Sequence, residues 1–280
     1  MEKTKNSPET AWRDLAGCRG VFVPKWRSSG VENLFTARVG GVSEGHYASL
    51  NLGLHVADEK PLVQENRKIL AQALGVPLER LVCCEQVHGT NVFKVSSADA
   101  GRGVLDYETA IRETDALITQ EEDLYLTLFF ADCVPVFFYD PVHRAVGLAH
   151  GGWKGAWGRI SSAVTAAMGE EFGCRAEDIE AWIGPGIGAC CFEIGDDLAE
   201  KVAARDGWGE FLSKREDGRT VWDLKETHRR ILLESGLKPE HIAVSAECTS
   251  CLAPAFFSYR RDGGITGRMA ALIGIRPEKE

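Results

Sequence analysis

Residues 124–151 read LYLTLFFADCVPVFFYDPVHRAVGLAHG, and this stretch decides the fold. It contains three apolar runs, 124–130, 134–139 and 145–149, which are separated by short polar or proline-containing breaks. Runs of this length, in which successive residues are apolar, are typical of strands that are covered on both faces. The stretch therefore predicts the centre of a buried sheet.

Further strand-like and helix-like runs surround this centre. Residues 61–75 and 226–236 have apolar positions at helical spacing, each with a glycine at the end, and residues 155–168 also read as a helix. Additional strands are predicted at 179–183, 242–246, 255–259 and 269–275. These patterns predict a mixed α/β (α+β) fold, in which helices cover largely buried, mixed β-sheets.

Composition restricts the possible functions. The 280 residues carry a formal net charge of −9 and are 44% hydrophobic, close to the globular average. Scattered acidic residues argue against nucleic acid as a partner, which requires clustered Lys and Arg. The chain has no long apolar segment and no leader-like start, so we expect no membrane association and a cytoplasmic location. Its nine cysteines are an odd number, which favours reduced thiols over a disulfide framework.

Three short segments offer metal ligands: QVHG at 86–89, ADC at 131–133 and AHGGWKG at 149–155. They supply His88, Cys133 and His150. Two imidazoles and one thiolate are typical of a catalytic zinc site, which leaves its fourth coordination position open. Because these ligands are far apart in sequence, spacing alone does not distinguish such a site from ordinary core residues.

The predicted strands place two of these residues at strand ends. Cys133 lies in the break between two runs, and His150 ends a run just before two glycines. Functional side chains often gather at such ends, where they leave the packed interior but keep a rigid support. The amide groups that begin the predicted helix 155–168 would face an anion near the metal.

The chain resembles the family typified by bacterial YfiH and YlmD and by animal FAMIN, long known as polyphenol oxidase or laccase-like proteins. The resemblance rests on the three segments above and on residues 35–58, 114–119, 183–195 and 256–273, in the family's order. It implies one YfiH-like catalytic domain at 13–280, after a flexible tail at 1–12. The family usually has Ala where this chain has Gly151, and the missing methyl predicts a looser backbone there.

The resemblance also implies an activity. Members phosphorolyse the purine nucleosides adenosine, inosine, guanosine and S-methyl-5'-thioadenosine, and they deaminate adenosine in the same pocket. It implies a zinc ion at His88, Cys133 and His150, with Asp132 moving a proton, in a monomer or homodimer. Phosphate requires cationic or polar side chains. The candidates for binding substrate or phosphate are Asn51, Arg67, Lys154, Arg260 and Arg268.

Alternative functions remain open at this point. Copper is possible at a Cys with two His, as in a laccase-like enzyme, but Met168 and Met269 do not adjoin a ligand and seven histidines are few for a multicopper site. A peptidoglycan-precursor editing hydrolase would use Cys133 as nucleophile with a histidine base. A partner-binding scaffold with a structural metal is a third hypothesis.

Other residues near these segments receive weaker predictions. Asp115 either orients a ligand histidine or only caps a turn. The pair Cys190–Cys191 and the C-x-x-C formed by Cys248 and Cys251 would need to converge to bind a second zinc, and the favoured interpretation is buried thiols.

Overall fold

The structure, a computed structural model, describes residues 9–277. These residues form fifteen strands and six α-helices. The strands are β1 (Ala11–Leu15), β2 (Cys18–Phe22), β3 (Val31–Thr36), β4 (Leu81–Cys83), β5 (Val92–Lys94), β6 (Ala116–Thr119), β7 (Tyr125–Phe130), β8 (Val134–Asp140), β9 (Ala145–Gly151), β10 (Glu180–Ile183), β11 (Glu193–Ile194), β12 (Leu212–Lys214), β13 (Thr220–Trp222), β14 (Ile242–Val244) and β15 (Met269–Ile275). The helices are α1 (Pro24–Ser28), α2 (Lys60–Leu74), α3 (Trp153–Trp157), α4 (Ile160–Phe172), α5 (Asp196–Ala204) and α6 (Leu224–Glu234).

Two six-stranded sheets face each other. The first has the strand order β1-β2-β3-β15-β7-β4, the second has the order β14-β10-β8-β9-β6-β5, and β11-β13-β12 form a small third sheet. Leu126, Leu128 and Phe130 of β7 pack against Phe137 of β8 and Leu148 of β9 between the two large sheets. Full burial of each such side chain stabilises the fold by about 1.5–3 kcal/mol.

Helices cover the outer face of each large sheet. Leu70 and Leu74 of α2 pack on Phe129 of the first sheet. On the second sheet, Val164 of α4 and Ile231 of α6 join a cluster with β8 and β9. The predicted α+β domain with helix-covered mixed sheets is confirmed, and it has four layers.

The central elements lie where the sequence predicts them. Strands β7, β8, β9 and β15 match the predicted runs to within two residues, and their successive apolar residues are divided between two cores. Helix α2 ends at Leu74 because Gly75 adopts a left-handed conformation with φ of 66°, which glycine accepts without strain.

Two predicted elements are wrong. Residues 255–259 form a turn and not a strand, although Phe256 and Phe257 are buried. Their neighbours donate backbone N–H groups to carboxylates: Ser258 to Asp262 and Arg260 to Asp132. Local side-chain acceptors thus replace the ladder partners of a strand.

The predicted helix at 155–168 is interrupted. Helices α3 and α4 are separated at Gly158 and Arg159, and Arg159 has a left-handed φ of 63°. A Cβ on Gly158 would lie 2.6 Å from the Cγ2 of Thr90, so a residue larger than glycine does not fit there. The chain turns at this contact and begins a new helix.

Several N-terminal strands are not predicted from the sequence patterns. Strand β3 is central in its sheet but contains Glu32 and Asn33, which are both fully buried. Glu32 accepts from Arg13 and Arg276, and Asn33 accepts the backbone N–H of Val23. Paired buried polar groups of this kind interrupt the apolar run from which a strand is predicted.

The predicted N-terminal tail overlaps the first strand. Ala11 and Trp12 pair with Phe22 and Val21 of β2, whereas residues 1–8 of the predicted tail lie outside the described part of the chain. Within residues 9–277, no helix combines the length and the apolar character that crossing a bilayer requires.

Candidate metal centre

His150 is positioned by the register of the second sheet. It is the penultimate residue of β9, where it lies opposite Pro135 of β8, and its N–H donates to the carbonyl of Asp115 just before β6. Its Nδ1 lies 2.8 Å from the Asp115 Oδ1. The Asp115 carboxylate therefore orients the ring so that Nε2 points away from it.

His88 is held by the same carboxylate. It lies in the connection that passes from β4 in the first sheet to β5 in the second. The backbone N–H groups of Val87, His88 and Gly89 donate to the Asp115 oxygens at 3.2, 2.9 and 2.6 Å. His88 has a positive φ of 61°, and this uncommon conformation is maintained by the three hydrogen bonds.

Cys133 lies on a second connection between the two sheets, directly before β8. The preceding Asp132 has a positive φ of 86°, which turns the chain from one sheet to the other. A Cβ on Gly152 would lie 2.9 Å from the Cys133 sulfur and 3.3 Å from the Cδ2 of His88. A glycine at position 152 therefore leaves room for the thiol and the imidazole.

The three predicted ligands come together. Their ligand atoms all lie within 4.8 Å of one another, and the rings of His88 and His150 are 4.7 Å apart. Burial raises the pKa of the Cys133 thiol, but the facing His150 and His88 outweigh it and lower that pKa to about 6. One thiolate and two nitrogens around a common point suit an ion with an open fourth position.

The pKa of His150 shifts in the opposite direction. Burial lowers it, but the Cys133 thiolate and the Asp115 carboxylate have the greater effect and raise the pKa to about 9. Without a cation the pair is therefore a thiolate beside an imidazolium. Binding a divalent ion displaces the proton of His150, so metal affinity rises with pH.

The expectation of a looser backbone at Gly151 is wrong. A Cβ there would lie 2.5 Å from the Nε2 of His228 and 2.7 Å from the carbonyl oxygen of Val134. His228 is buried, and its Nδ1 forms a hydrogen bond of 2.8 Å with the hydroxyl of Ser161. Its Nε2 lies 3.2 Å from the carbonyl oxygen of Gly151. The imidazole of α6 occupies the volume that a methyl group would need.

Asp132 binds a neighbouring loop. Its oxygens accept from the hydroxyls of Thr249 and Ser258 at 2.6 and 2.9 Å and from the backbone N–H of Arg260 at 2.7 Å. The residue lines the pocket, but its carboxylate is directed at these three donors. This arrangement holds the loop that carries Arg260.

A cavity of about 440 Å³ opens above the three ligands. Arg260 and Arg268 line it. The Arg268 guanidinium donates through Nη1 to the carbonyls of Thr266 and Gly267, and no other donor of this group has a partner among the residues that the structure describes. The further lining residues are largely aromatic or apolar: His55, Tyr107, Phe129, Trp153, Ile187, Phe192, Leu224 and Tyr259.

Three other predicted binding residues do not line the cavity. Arg67 is buried below it and donates to the carbonyls of Leu52, Gly103 and Val104. Asn51 is fully buried and accepts the N–H of Arg268. Lys154 lies beside the ring of Trp153. Asn51 and Arg67 support the pocket floor from behind.

Sequence patterns missed part of the site. The aromatic lining comes from Tyr107, Phe129 and Tyr259, which are single residues in unrelated segments, and no local periodicity connects them. Asp115, for which a turn role was equally open, is the carboxylate that orients both histidines. Its only signal in the sequence is its place in the segment TDALIT at 114–119.

The favoured interpretation of Cys190, Cys191, Cys248 and Cys251 as buried thiols is wrong for two of the four. Cys190 and Cys251 are exposed, and their sulfurs converge with those of Cys191 and Cys248. The two chain segments meet only in the folded state, so spacing in the sequence did not reveal the group.

Sequence comparison identifies known proteins that are similar to this chain. Residues 32–276 match the model of the family described as multi-copper polyphenol oxidoreductase laccase. The chain is 45% identical over 245 residues to purine nucleoside phosphorylase YlmD of Geobacillus stearothermophilus, covering 87% of this chain and 89% of that one. It is 32% identical over 286 residues to purine nucleoside phosphorylase LACC1 of Mus musculus, covering 99% of this chain and 64% of that one.

Solved structures agree in fold. The crystal structure of Bacillus licheniformis hypothetical protein YfiH superposes with a TM-score of 0.89 at 38% identity, covering 95% of this chain and 99% of that one. The crystal structure of YlmD from Geobacillus stearothermophilus gives a TM-score of 0.89 at 41% identity, covering 95% and 98%.

Proposed function

The chain belongs to the family described as multi-copper polyphenol oxidoreductase laccase, and on this premise we propose that it is a purine nucleoside phosphorylase. The observation that carries the proposal is the cavity in which two arginines and several aromatic rings surround the ligand group His88, Cys133 and His150. Relatives named purine nucleoside phosphorylase align with most of the chain. We expect adenosine, inosine, guanosine and S-methyl-5'-thioadenosine as substrates, with deamination of adenosine as a second reaction.

The donor set favours zinc at this site over copper. A blue-copper centre adds a weak axial sulfur, usually from methionine. Met168 of α4 is buried in the core of the second sheet, and Met269 accepts the N–H of Phe257, so neither side chain belongs to the ligand group. A zinc ion held by these residues would act as a Lewis acid and lower the pKa of a bound water to about 7.

The cavity walls suit a nucleoside. Phe129, Tyr107, Tyr259 and Phe192 supply flat apolar surfaces, and a volume of about 440 Å³ accommodates a ligand of this size. Base–aromatic stacking contributes about 1–3 kcal/mol per base in proteins that bind single nucleic-acid strands. The purine is therefore expected against these rings, with its sugar toward the arginines.

The two lining arginines suit phosphate. Arg260 is held over the Phe192 ring, and its Nη1 donates to the carbonyls of Cys191 and Glu193. Arg268 lies beside Tyr259 with part of its guanidinium available. A planar guanidinium binds two phosphate oxygens at once and would hold the nucleophile at the anomeric carbon.

His55 supplies a neutral polar group on the same wall. Desolvation in the concave pocket, together with the positive charge of Arg268, lowers the pKa of His55, although its side chain keeps contact with solvent. Its ring is therefore neutral at physiological pH and able to accept a hydrogen bond from the substrate.

A cytoplasmic setting agrees with this chemistry. All nine cysteines are free thiols, as is usual in a reducing compartment. Cys133 would remain available as a thiolate ligand there.

The decisive assay incubates metal-loaded protein with each nucleoside, with and without inorganic phosphate. We expect free base and the matching sugar 1-phosphate only when phosphate is present: ribose 1-phosphate from adenosine, inosine and guanosine, and S-methyl-5-thioribose 1-phosphate from S-methyl-5'-thioadenosine. Inosine should form from adenosine in either case. Arg268→Ala is expected to raise the KM for phosphate at least tenfold while adenosine deamination persists. Absence of all products from protein with full metal content would exclude the proposal, and release of an amino acid from a muramyl nucleotide instead would favour the editing hydrolase.

A further inference from the structure

Four cysteine sulfurs form a second group beside the pocket. Cys190 and Cys191 lie between β10 and β11, and Cys248 and Cys251 lie after β14. All four sulfurs lie within 4.8 Å of one another. The Cys251 sulfur is 3.5 Å from that of Cys190 and 3.4 Å from that of Cys191. Folding therefore brings an adjacent pair and a C-x-x-C into one cluster.

The backbone holds these sulfurs in place. Gly186 and Cys248 form a parallel bridge between the two segments, and the N–H of Gly188 donates to the Cys248 sulfur at 3.2 Å. A Cβ on Gly188 would lie 3.2 Å from the Cys190 sulfur and 3.3 Å from the Cβ of Cys248. Amide donors to a ligating sulfur orient it, so the cluster is formed before any ion binds.

The spacing matches a tetrahedral ion better than a disulfide. Four sulfurs at about 2.3 Å from a zinc ion form a tetrahedron with edges of about 3.8 Å. The two short sulfur–sulfur distances, 3.4 and 3.5 Å, are close to that edge. A disulfide requires about 2.05 Å between sulfurs. Small side-chain rotations are enough to receive an ion.

A buried lysine lies next to the segment that carries Cys248. Lys225 is buried, and its Nζ donates to the carbonyls of Ser245 and Glu247 at 2.9 and 2.6 Å, just before Cys248. Four thiolates around a divalent ion carry two net negative charges, which this ammonium partly balances.

We propose that Cys190, Cys191, Cys248 and Cys251 bind a zinc ion in a closed, structural site that is separate from the ligand group in the pocket. Four protein sulfurs complete the tetrahedron and leave no position for substrate. The site joins the two loops that form one side of the pocket. Cys191 offers its carbonyl to Arg260, and Thr249 donates to Asp132. The ion is thus expected to position Arg260 through its loops.

Metal analysis of reduced, untagged protein tests the proposal. We expect two zinc ions per chain in the unmodified protein and one in the double variant Cys190→Ser/Cys251→Ser. The variant His88→Ala/His150→Ala should also retain one ion, which comes from the four-cysteine site. Cobalt substitution of that second variant should give the strong sulfur-to-metal absorption of four thiolates, which one thiolate in the pocket does not produce.

Controls separate this result from general damage. Cys18→Ala removes a thiol of β2 outside both groups and should leave two ions bound. In case the double variant does not fold, thiol labelling of the unmodified protein gives a second readout: the exposed Cys190 and Cys251 should react slowly until a chelator is added. Loss of all bound zinc from the His88→Ala/His150→Ala variant, iron at the four-cysteine site, or a mass that shows a disulfide among these cysteines would overturn the proposal. None of these readouts depends on nucleoside activity.

Discussion

At the scale of single residues, Asp115 determines how both ligand histidines are placed. Its fully buried carboxylate accepts three successive backbone N–H groups from the His88 segment and faces Nδ1 of His150. Burial raises its pKa, but the hydrogen bond and charge of His150 prevail and hold the pKa below its usual range. The group therefore remains an ionised acceptor at neutral pH.

Replacing this carboxylate should weaken metal binding. In Asp115→Asn, the amide directs N–H groups at backbone donors or at His150, so the His150 ring loses its orienting partner and the backbone around His88 loses an acceptor. Loss of such orienting partners typically reduces metal affinity about 10–100-fold, and competition with a chromophoric chelator would measure it. Asp106→Asn, at an exposed ion pair with Lys60, serves as the control and should not change affinity. Equal affinities for both variants would contradict this role.

Gly151 permits a second prediction at this scale. Gly151→Ala places a methyl 2.5 Å from His228 and 2.7 Å from the Val134 carbonyl oxygen. Overpacking of this kind typically costs about 1–3 kcal/mol of unfolding free energy, which urea unfolding would show.

A double-mutant cycle with His228→Ala tests the cause. Because the smaller side chain removes one of the two clashes, the glycine-to-alanine change should cost less in that background. Equal costs in the two backgrounds would show that the imidazole is not the obstacle.

At the scale of elements, the loop at 249–262 depends on Asp132. The carboxylate accepts from Thr249, Ser258 and Arg260 at both ends of the loop. Arg261 adds bonds to the carbonyls of Thr249 and Phe256. The turn is therefore held by charge-assisted hydrogen bonds, each stabilising by about 1.5–3 kcal/mol.

Asp132→Ala distinguishes anchoring from proton transfer. If the carboxylate anchors the loop, the variant should raise the KM for phosphate several-fold and increase protease cleavage within 249–262. Asp132→Asn keeps an acceptor and should restore most of the cleavage resistance. A role in proton transfer would instead lower kcat in both variants, change the pH profile and leave cleavage unaltered.

Sequence patterns predicted the elements whose two faces are both apolar and missed those with paired polar groups. Strands β7, β8, β9 and β15 belong to the first class. Strand β3 belongs to the second, because the buried Glu32 and Asn33 interrupt its apolar run. The three candidate metal ligands could be predicted because His and Cys carry recognisable chemistry and because the segments around them resemble those of a known family. The aromatic lining and the four-cysteine cluster depend on contacts between distant segments, which a linear pattern does not contain.

At the scale of the whole molecule, the buried His228 links stability to pH. Burial lowers its pKa from 6.5 to about 4 in the folded protein. Between these values the unfolded chain binds a proton that the folded chain excludes, so stability is fully present above pH 6.5 and decreases as the pH falls toward 4. The shift corresponds to about 3 kcal/mol over this window.

Chemical unfolding at several pH values tests this linkage. His228→Asn keeps a hydrogen-bonding amide but does not titrate, so its stability should fall less between pH 6.5 and 4 than that of the unmodified protein. Other histidines contribute equally to both proteins and cancel in the comparison. A difference in stability that stays constant with pH would assign the acid sensitivity to another group.

The connections that carry His88 and Cys133 both pass from one large sheet to the other. A cation shared by these residues and His150 would consequently cross-link the two stacked sheets. Any sliding of one sheet across the other would then distort its coordination. Substitutions between the two sheets, far from the cavity, should therefore reduce the amount of metal that stays bound before they cause detectable unfolding.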